Sequence, residues 1–350
     1  NLRNKGSYLR TIQHESVGLR RMLLKVKACK YQCRECGRYF RQPLEGVLPY
    51  HRSTEALRRQ VFTLHMAGMT AHDLSRRFNI AGSTVERWVH DLYARDNSKR
   101  NNPLCPRILG IDEHTFSKKG TGYSTTFCDL RKQKVFDVVE GRSAKDLESF
   151  LMGLNGRERV QVVCIDLSPS YRSLIRRFFP NAKIVSDRFH VIRLANHMFI
   201  KTWQHLDPNK KYNRGMMRLM RKKPKNLTQQ EKETLEAYLK NNPAIEVLYD
   251  FKQKLHKLFM LKHLKAHHCY EPAAELLKSI RLLQASGFKH MQTLGNTLYE
   301  WREEIARMWR FTKNNGITEG FHRKMKLIQR RAYGFKNFQN YRLRVRTLCG

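Results

Sequence analysis

RILGIDEHTF, residues Arg107 to Phe116, is the stretch that decides the fold. A short apolar run climbs to Asp112 and stops in polar residues. The pattern recurs at Val160 to Leu167, VQVVCIDL, which ends at Asp166 ahead of Ser168 and Pro169. Short apolar runs bounded by polar residues read as buried strands. A carboxylate at the end of such a strand is costly unless something compensates its charge. Working outward, Tyr123–Leu130 and Lys134–Val139 read as further strands. AKDLESFLMGL reads as a helix, with Leu147, Phe150, Leu151 and Leu154 at helical spacing. Ser168 is a good N-cap and Pro169 a good first residue for the helix SPSYRSLIRRFF, which stops before Pro180. Ala182–Val185 is one more strand. The order is three strands, helix, strand, helix, strand. That order predicts an α/β domain whose mixed sheet begins as an antiparallel meander and continues as a parallel half.

The chain has 350 residues, room for two or three domains. Its 68 Lys and Arg face 30 Asp and Glu, a formal charge of +38 spread along the whole sequence. Such a surface attracts polyanions, nucleic acid first among them. An anionic membrane is the rival partner, but no apolar segment approaches the ~18–20 residues needed to span a bilayer. No signal peptide is visible, which predicts a cytoplasmic protein. The chain begins at Asn1 rather than Met, so its true N-terminus is expected upstream. Eight cysteines in a chain of this length do not make a disulfide scaffold.

Residues 1–50 contain CKYQCRECGRYF. Cys33 and Cys36 form a C-x-x-C, one knuckle of a zinc ribbon, with Cys29 nearby. Either half a zinc site has its other half upstream, or these are plain reduced thiols. Residues 51–96 read as three helices. The first spans Thr54 to Ala67, and the next two begin at Thr70 and Ser83 with a tight turn at Asn79 to Gly82. The last two match a helix-turn-helix that presents Ser83, Thr84, Glu86 and Arg87 to a DNA groove. A plain helical hairpin has the same pattern. Asp96 to Pro106 reads as a linker. The mixed-sheet domain takes residues 105–193, and an all-helical insertion takes 194–312, where Thr228 and Glu231 make a capping box. His263, His267, His268 and Cys269 lie close together in that insertion without four aligned ligands. Trp203, Trp301 and Trp309 offer stacking faces for unpaired nucleic-acid bases, but core is the preferred reading. Residues 313–350 return to the mixed domain with the basic helix TEGFHRKMKLIQRR and a basic tail.

Glu319 opens that helix. Phosphodiester chemistry needs a charged nucleophile, an in-line leaving oxygen and neutralisation of the phosphoryl group, which paired divalent ions supply. Magnesium takes oxygen ligands and keeps several waters, so a few carboxylates suffice. Asp112 and Asp166 end strands that can be sheet neighbours. Arg323, Lys324, Lys326, Arg330 and Arg331 suit the Glu319 helix to phosphates. Each acid also has a plainer reading: Asp112 in a turn, with Glu113 and His114 beside it as the alternative ligands, Asp166 as a helix cap, Glu319 in an ion pair with Arg323 four residues on.

LGIDEHTF, VVCIDLSPSYRSLI, KIVSDRFHVIRLAN and ITEGFHRKMKLIQRRAYGFKNFQNYRLR resemble the DDE-type transposases of bacterial insertion sequences, most closely the ISL-type family. The resemblance covers nearly the whole chain. It implies an N-terminal zinc ribbon, a helix-turn-helix and a ribonuclease H-like domain with a helical insertion. It places the catalytic triad on Asp112, Asp166 and Glu319, with Mg2+ or Mn2+ as cofactor. The family's first cysteine pair, upstream of CKYQCREC, is missing from this sequence, so zinc is expected only in the complete ribbon. Asp187 and His190 resemble a D-x-x-H signature of several transposase families and would border the active site or form a buried ion pair. The implied function is binding of terminal inverted repeats, then strand cleavage and strand transfer. The implied partners are double-stranded DNA at transposon ends and target, and a second copy of the chain. A domesticated, non-catalytic DNA-binding protein and a ribonuclease H-type nuclease are the alternatives.

Overall fold

The computed structural model describes residues 1–98, 103–116, 122–210, 212–311 and 316–350. Part of the linker expected at 96–106, and the boundary expected at 312–313, lie outside them. The chain divides into two compact units. One comprises Asn1–Asn101 with Lys324–Cys349, and the other Asn102–Arg323 with Gly350.

The first unit opens with a long antiparallel hairpin, β1 (Leu2–Val17) and β2 (Arg20–Cys33), to which β3 (Tyr39–Arg41) adds an edge. Three helices follow: α1 (Glu55–Met66), α2 (Ala71–Phe78) and α3 (Gly82–Ser98). Thr54 and Thr70 cap the first two, each hydroxyl accepting a backbone N–H three residues on. Asn79, at φ 50°, ends α2 in the left-handed conformation, and the tight turn into α3 follows. Leu57, Val61, Leu74, Phe78, Val85 and Trp88 form the shared core of these helices.

The second unit is built on a five-stranded sheet of β4 (Ile108–Thr115), β5 (Tyr123–Asp129), β6 (Lys134–Glu140), β7 (Val162–Ile165) and β8 (Lys183–Ser186). The strand order is β6-β5-β4-β7-β8. β4, β5 and β6 pair antiparallel, while β4–β7 and β7–β8 pair parallel. This is the mixed sheet expected for a ribonuclease H-like domain. Every residue of β7 is buried, as a central parallel strand covered on both faces should be. The crossovers are α4 (Ala144–Met152) and α5 (Pro169–Phe178). Ser143 and Asp146 form a capping box on α4. A Cβ at Gly141, φ +87°, would meet the Asp146 carboxylate at 2.4 Å, so only glycine leaves room for that cap.

Among the described residues eight α-helices follow: α6 (Arg188–Leu206), α7 (Arg214–Arg221), α8 (Gln229–Lys240), α9 (Pro243–Met260), α10 (Tyr270–Gln284), α11 (Lys289–Glu300), α12 (Arg302–Arg310) and α13 (Gly316–Arg331). The last helix, α14 (Phe338–Cys349), belongs to the first unit. The stretch expected as an insertion is all-helical, but most of it shares one core with the sheet. Phe199, Leu255, Phe259, Leu298, Trp301 and Trp309 join Ile111, Val163 and Ile165 in a single cluster. Only α7 and α8, with the ends of α6 and α9, build a separate small core around Trp203. No helix of the described residues is long and apolar enough to cross a membrane.

Candidate active site

Three aspartates fall in one row because three strands run parallel in register. Gly110 pairs with Cys164, and Ile165 pairs with Ser186. Two further residues along β4 and β7 bring Asp112 beside Asp166, and one further along β8 brings Asp187 beside Asp166. The β4–β7 ladder ends at Gly110 and Cys164, so the strands part where the acids stand. A crevice at the carboxyl ends of parallel strands is where open α/β sheets bind their ligands.

Burial pushes the Asp112 carboxyl up to about 6 and the Asp166 carboxyl up to about 6. His190 pulls both back down, while neighbouring acids add to the rise. His190 is held by Asp187, with Nδ1 2.9 Å from Oδ2. That bond raises the imidazole above its ordinary range, against the opposing effect of burial. Asp187 also caps α6, accepting from the Phe189 N–H at 3.2 Å. Arg188, between them, is buried and donates to the carbonyls of Phe259, Leu261 and Met308. The residues of SDRFHV thus tie the sheet edge to the helices packed over it.

Asp112 Oδ1 accepts from the Glu113 N–H at 2.8 Å. Its Oδ2 lies 3.8 Å from His322 Nδ1 on α13. The His322 ring also faces that of buried His114, centroids 5.0 Å apart. His114 stands beside Asp112 in the sequence as an alternative ligand there, whereas His322 does not stand out. The only signal for His322 is its place three residues after Glu319, on the same side of one helix.

The structure brings Asp112 and Asp166 together but not Glu319. Glu319 is exposed, and its Oε1 accepts from Arg323 Nη2 at 3.0 Å, the ordinary helix ion pair. Among the described residues no group of three or more His, Cys, Asp or Glu stands in position to hold a metal ion. The aspartate pair nevertheless fits a hard divalent cation. Asp166 Oδ1 is buried with no hydrogen-bond partner among the described residues, and both acids offer the oxygen donors that magnesium or manganese prefers. Arg323, Lys324, Lys326, Arg330 and Arg331 are all exposed along α13.

In the first unit, Ser83, Glu86 and Arg87 are exposed on α3, with Thr84 half-buried. Ser83, Arg87 and Arg331 line one groove of about 690 Å³. Cys33 and Cys36 flank the β2–β3 turn, where the Gly37 N–H donates to the Cys33 carbonyl at 3.1 Å. Backbone hydrogen bonds from Cys36 and Glu35 hold the Cys33 thiol below its ordinary value. His14 bonds Thr54 Oγ1 at 2.8 Å, toward the helices and away from the thiols. His267 and His268 meet edge to face, centroids 4.0 Å apart, but, among the described residues, belong to no metal-holding group.

Residues 109–345 match the DDE transposase domain of family ISL3, described as a transposase. Residues 42–93 match the helix-turn-helix domain of transposase family ISL3. The chain is also 24% identical over 344 residues to the transposase for insertion sequence element IS1001 of Bordetella parapertussis, covering 93% of this chain and 81% of that protein. A family match over the whole sheet and its helices, with a helix-turn-helix match ahead of it, makes the chain a DDE-type transposase of the ISL3 family.

Proposed function

We propose that the chain binds the terminal inverted repeats of an insertion sequence, cuts a strand at each end and joins the freed 3′ hydroxyl to target DNA. What supports this reading is that Asp112 and Asp166, each two residues past the paired Gly110 and Cys164, act on one another, and that a buried oxygen of Asp166 has no hydrogen-bond partner among the described residues. Both would hold divalent cations, Mg2+ or Mn2+, with Glu319 completing the set. When bound, such ions lower the pKa of water and neutralise charge on the phosphoryl group. The protein's own part is positional. Asp187 fixes His190 against the acids, and His322 holds the free edge of Asp112. Glu319 must leave Arg323, and an exposed pair of that kind costs only about 0.3–0.5 kcal/mol to part. Arg323, freed in the same motion, is placed for phosphate. Hydrolysis and strand transfer are both in-line attacks on phosphorus, so one site serves both.

Residues 51–96 would read the repeats through Ser83, Thr84 and Arg87, with Lys324, Lys326, Arg330 and Arg331 on the DNA backbone. Residues 1–50 are a partial zinc-ribbon-like segment in which Cys33 and Cys36 supply half of a zinc site. Residues 105–193 and 313–350 carry the three acids, and 194–312 the helical insertion. Pairing two ends calls for at least a dimer on DNA, in the bacterial cytoplasm at the nucleoid.

The test is Asp166→Asn on duplex end DNA with magnesium. Nicking should fall at least about a thousandfold while duplex binding persists, because the lost group acts on the transition state rather than on DNA affinity. Full retention of nicking refutes the assignment. Nicking without any joining to target would leave a ribonuclease H-type nuclease instead.

A further inference from the structure

Beside Asp166 lies an open groove of about 840 Å³. That falls within the range of about 300–1,000 Å³ for sites that hold small organic ligands. Asp166, Phe189, His190, Arg193, His197 and Arg221 line it, with aliphatic side chains among them. Phe189 is 50% exposed, while Val191, Ala195 and Phe199 of the same helix are buried. Singly exposed apolar side chains are common and carry no argument by themselves. This ring is set apart by its neighbours. It meets His190 edge to face, centroids 5.6 Å apart, and shares the groove with a carboxylate of the active site. Neither Arg193 nor Arg221 has an acidic partner among the described residues, and both are exposed. His190, Arg193 and His197 follow at three- and four-residue spacing and so share one face of α6.

Aliphatic lining, one exposed aromatic ring and cationic side chains in one groove match a nucleotide: flat base, anionic backbone. A duplex keeps its bases stacked inside and cannot offer one to a ring in a groove, whereas a single nucleotide turned out of the stack can. Aromatic stacking accepts any base, and the arginines answer the phosphates. We propose that this groove receives one unpaired nucleotide of the DNA strand being cut, its base on Phe189 and its backbone along Arg193 and Arg221. This rests on the strand-cleavage reading above, in which the adjoining phosphate lies at Asp112 and Asp166.

Phe189→Trp supplies a local reporter, because Trp88, Trp203, Trp301 and Trp309 are all buried. In the full chain, a single-stranded oligothymidylate of about ten nucleotides should quench the added indole emission at a concentration at least about tenfold below that needed for a duplex of equal length. Arg193→Glu with Arg221→Glu should raise that concentration at least about tenfold. Phe189→Ala should lower magnesium-dependent nicking of end DNA about 5- to 150-fold, the loss expected for one stacked base. Equal quenching by duplex, or an emission change that follows protein concentration without DNA, overturns the proposal; the latter marks a second copy seated in the groove. Asp112→Asn separates this proposal from the reading beneath it, since it should abolish nicking and keep the quenching. Quenching with no nicking in any protein sinks strand cleavage and leaves the groove. Nicking with a silent indole sinks the groove alone.

Discussion

Asp166 titrates in the direction opposite to most aspartates of folded proteins. Its carboxyl moves from 3.8 to about 6, chiefly by burial, as does that of Asp112. The folded state therefore favours the protonated form. The contribution to stability is whole below pH ~4 and is lost as pH rises through about 6, reaching at most about 3 kcal/mol for one such group. The two acids repel each other, so their losses do not simply add. Asp166→Asn removes this cost. In chelator, the variant should melt several degrees above wild type at pH 7.5 and near it at pH 4.5. Magnesium should raise the wild-type melting temperature and leave the variant nearly unmoved. Equal melting temperatures at both pH values would remove the electrostatic basis of the site. Asp112 and Asp166 were legible in the sequence because each ends an apolar run, and a buried acid needs a reason. Glu319 carried no such mark. It is an exposed acid in a basic helix, and only the resemblance distinguished it from an ion-pair partner. His322 was not legible, because the contact that matters joins residues 210 apart in the chain.

At the scale of elements, helix ends were the clearest signals. Thr228 accepts the Glu231 N–H as its capping box predicts. Thr54 and Thr70 cap the helices they were read to start, and Ser143, which the sequence reading did not single out, caps α4. Ser168 stands at its N-cap but bonds Ser170 Oγ instead, so Pro169 does more than the serine to start α5. Strands were found with shifted ends: β4 runs on to Thr115 and β7 is only Val162–Ile165. The β1–β2 hairpin was missed, since its apolar residues do not alternate cleanly and most of it is exposed. What fixes α6 to the sheet was equally hidden. Arg188 closes the carbonyl ends of two helices, taking Phe259 in the last turn of α9, Leu261 just beyond it and Met308 of α12. Arg188→Ala strands three buried carbonyls and should cost about 3 kcal/mol or more. In a unit of this size that is a drop of about 6–12 °C in melting temperature. Differential scanning calorimetry decides it, and a shift under about 2 °C would show that the three bonds hold nothing together.

Across the whole molecule, charge is the property most plainly written in the sequence, and grouping of segments the least. The gathering of Lys324–Cys349 with the first hundred residues depends on a few long-range contacts, such as Asn97 Nδ2 donating to the Leu343 carbonyl and to Thr347 Oγ1. No local pattern announces such a pairing. The +38 charge, by contrast, sets how binding must respond to salt. Each phosphate neutralised releases counterions, so the slope of log affinity against log salt is about −0.9 per contact. If Arg323, Lys324, Lys326, Arg330 and Arg331 all meet phosphates, they contribute about −4.5 of that slope. Arg330→Ala with Arg331→Ala should flatten it by about 2 and weaken end DNA and unrelated DNA by the same factor. Arg87→Ala should do the reverse, narrowing discrimination between the two DNAs by about 1–3 kcal/mol while moving the slope by no more than about 1. Fluorescence anisotropy titrations from 50 to 200 mM salt read both effects. A double variant whose slope stays at the wild-type value would place those two arginines off the DNA, and a single variant that keeps full discrimination would take base reading away from α3.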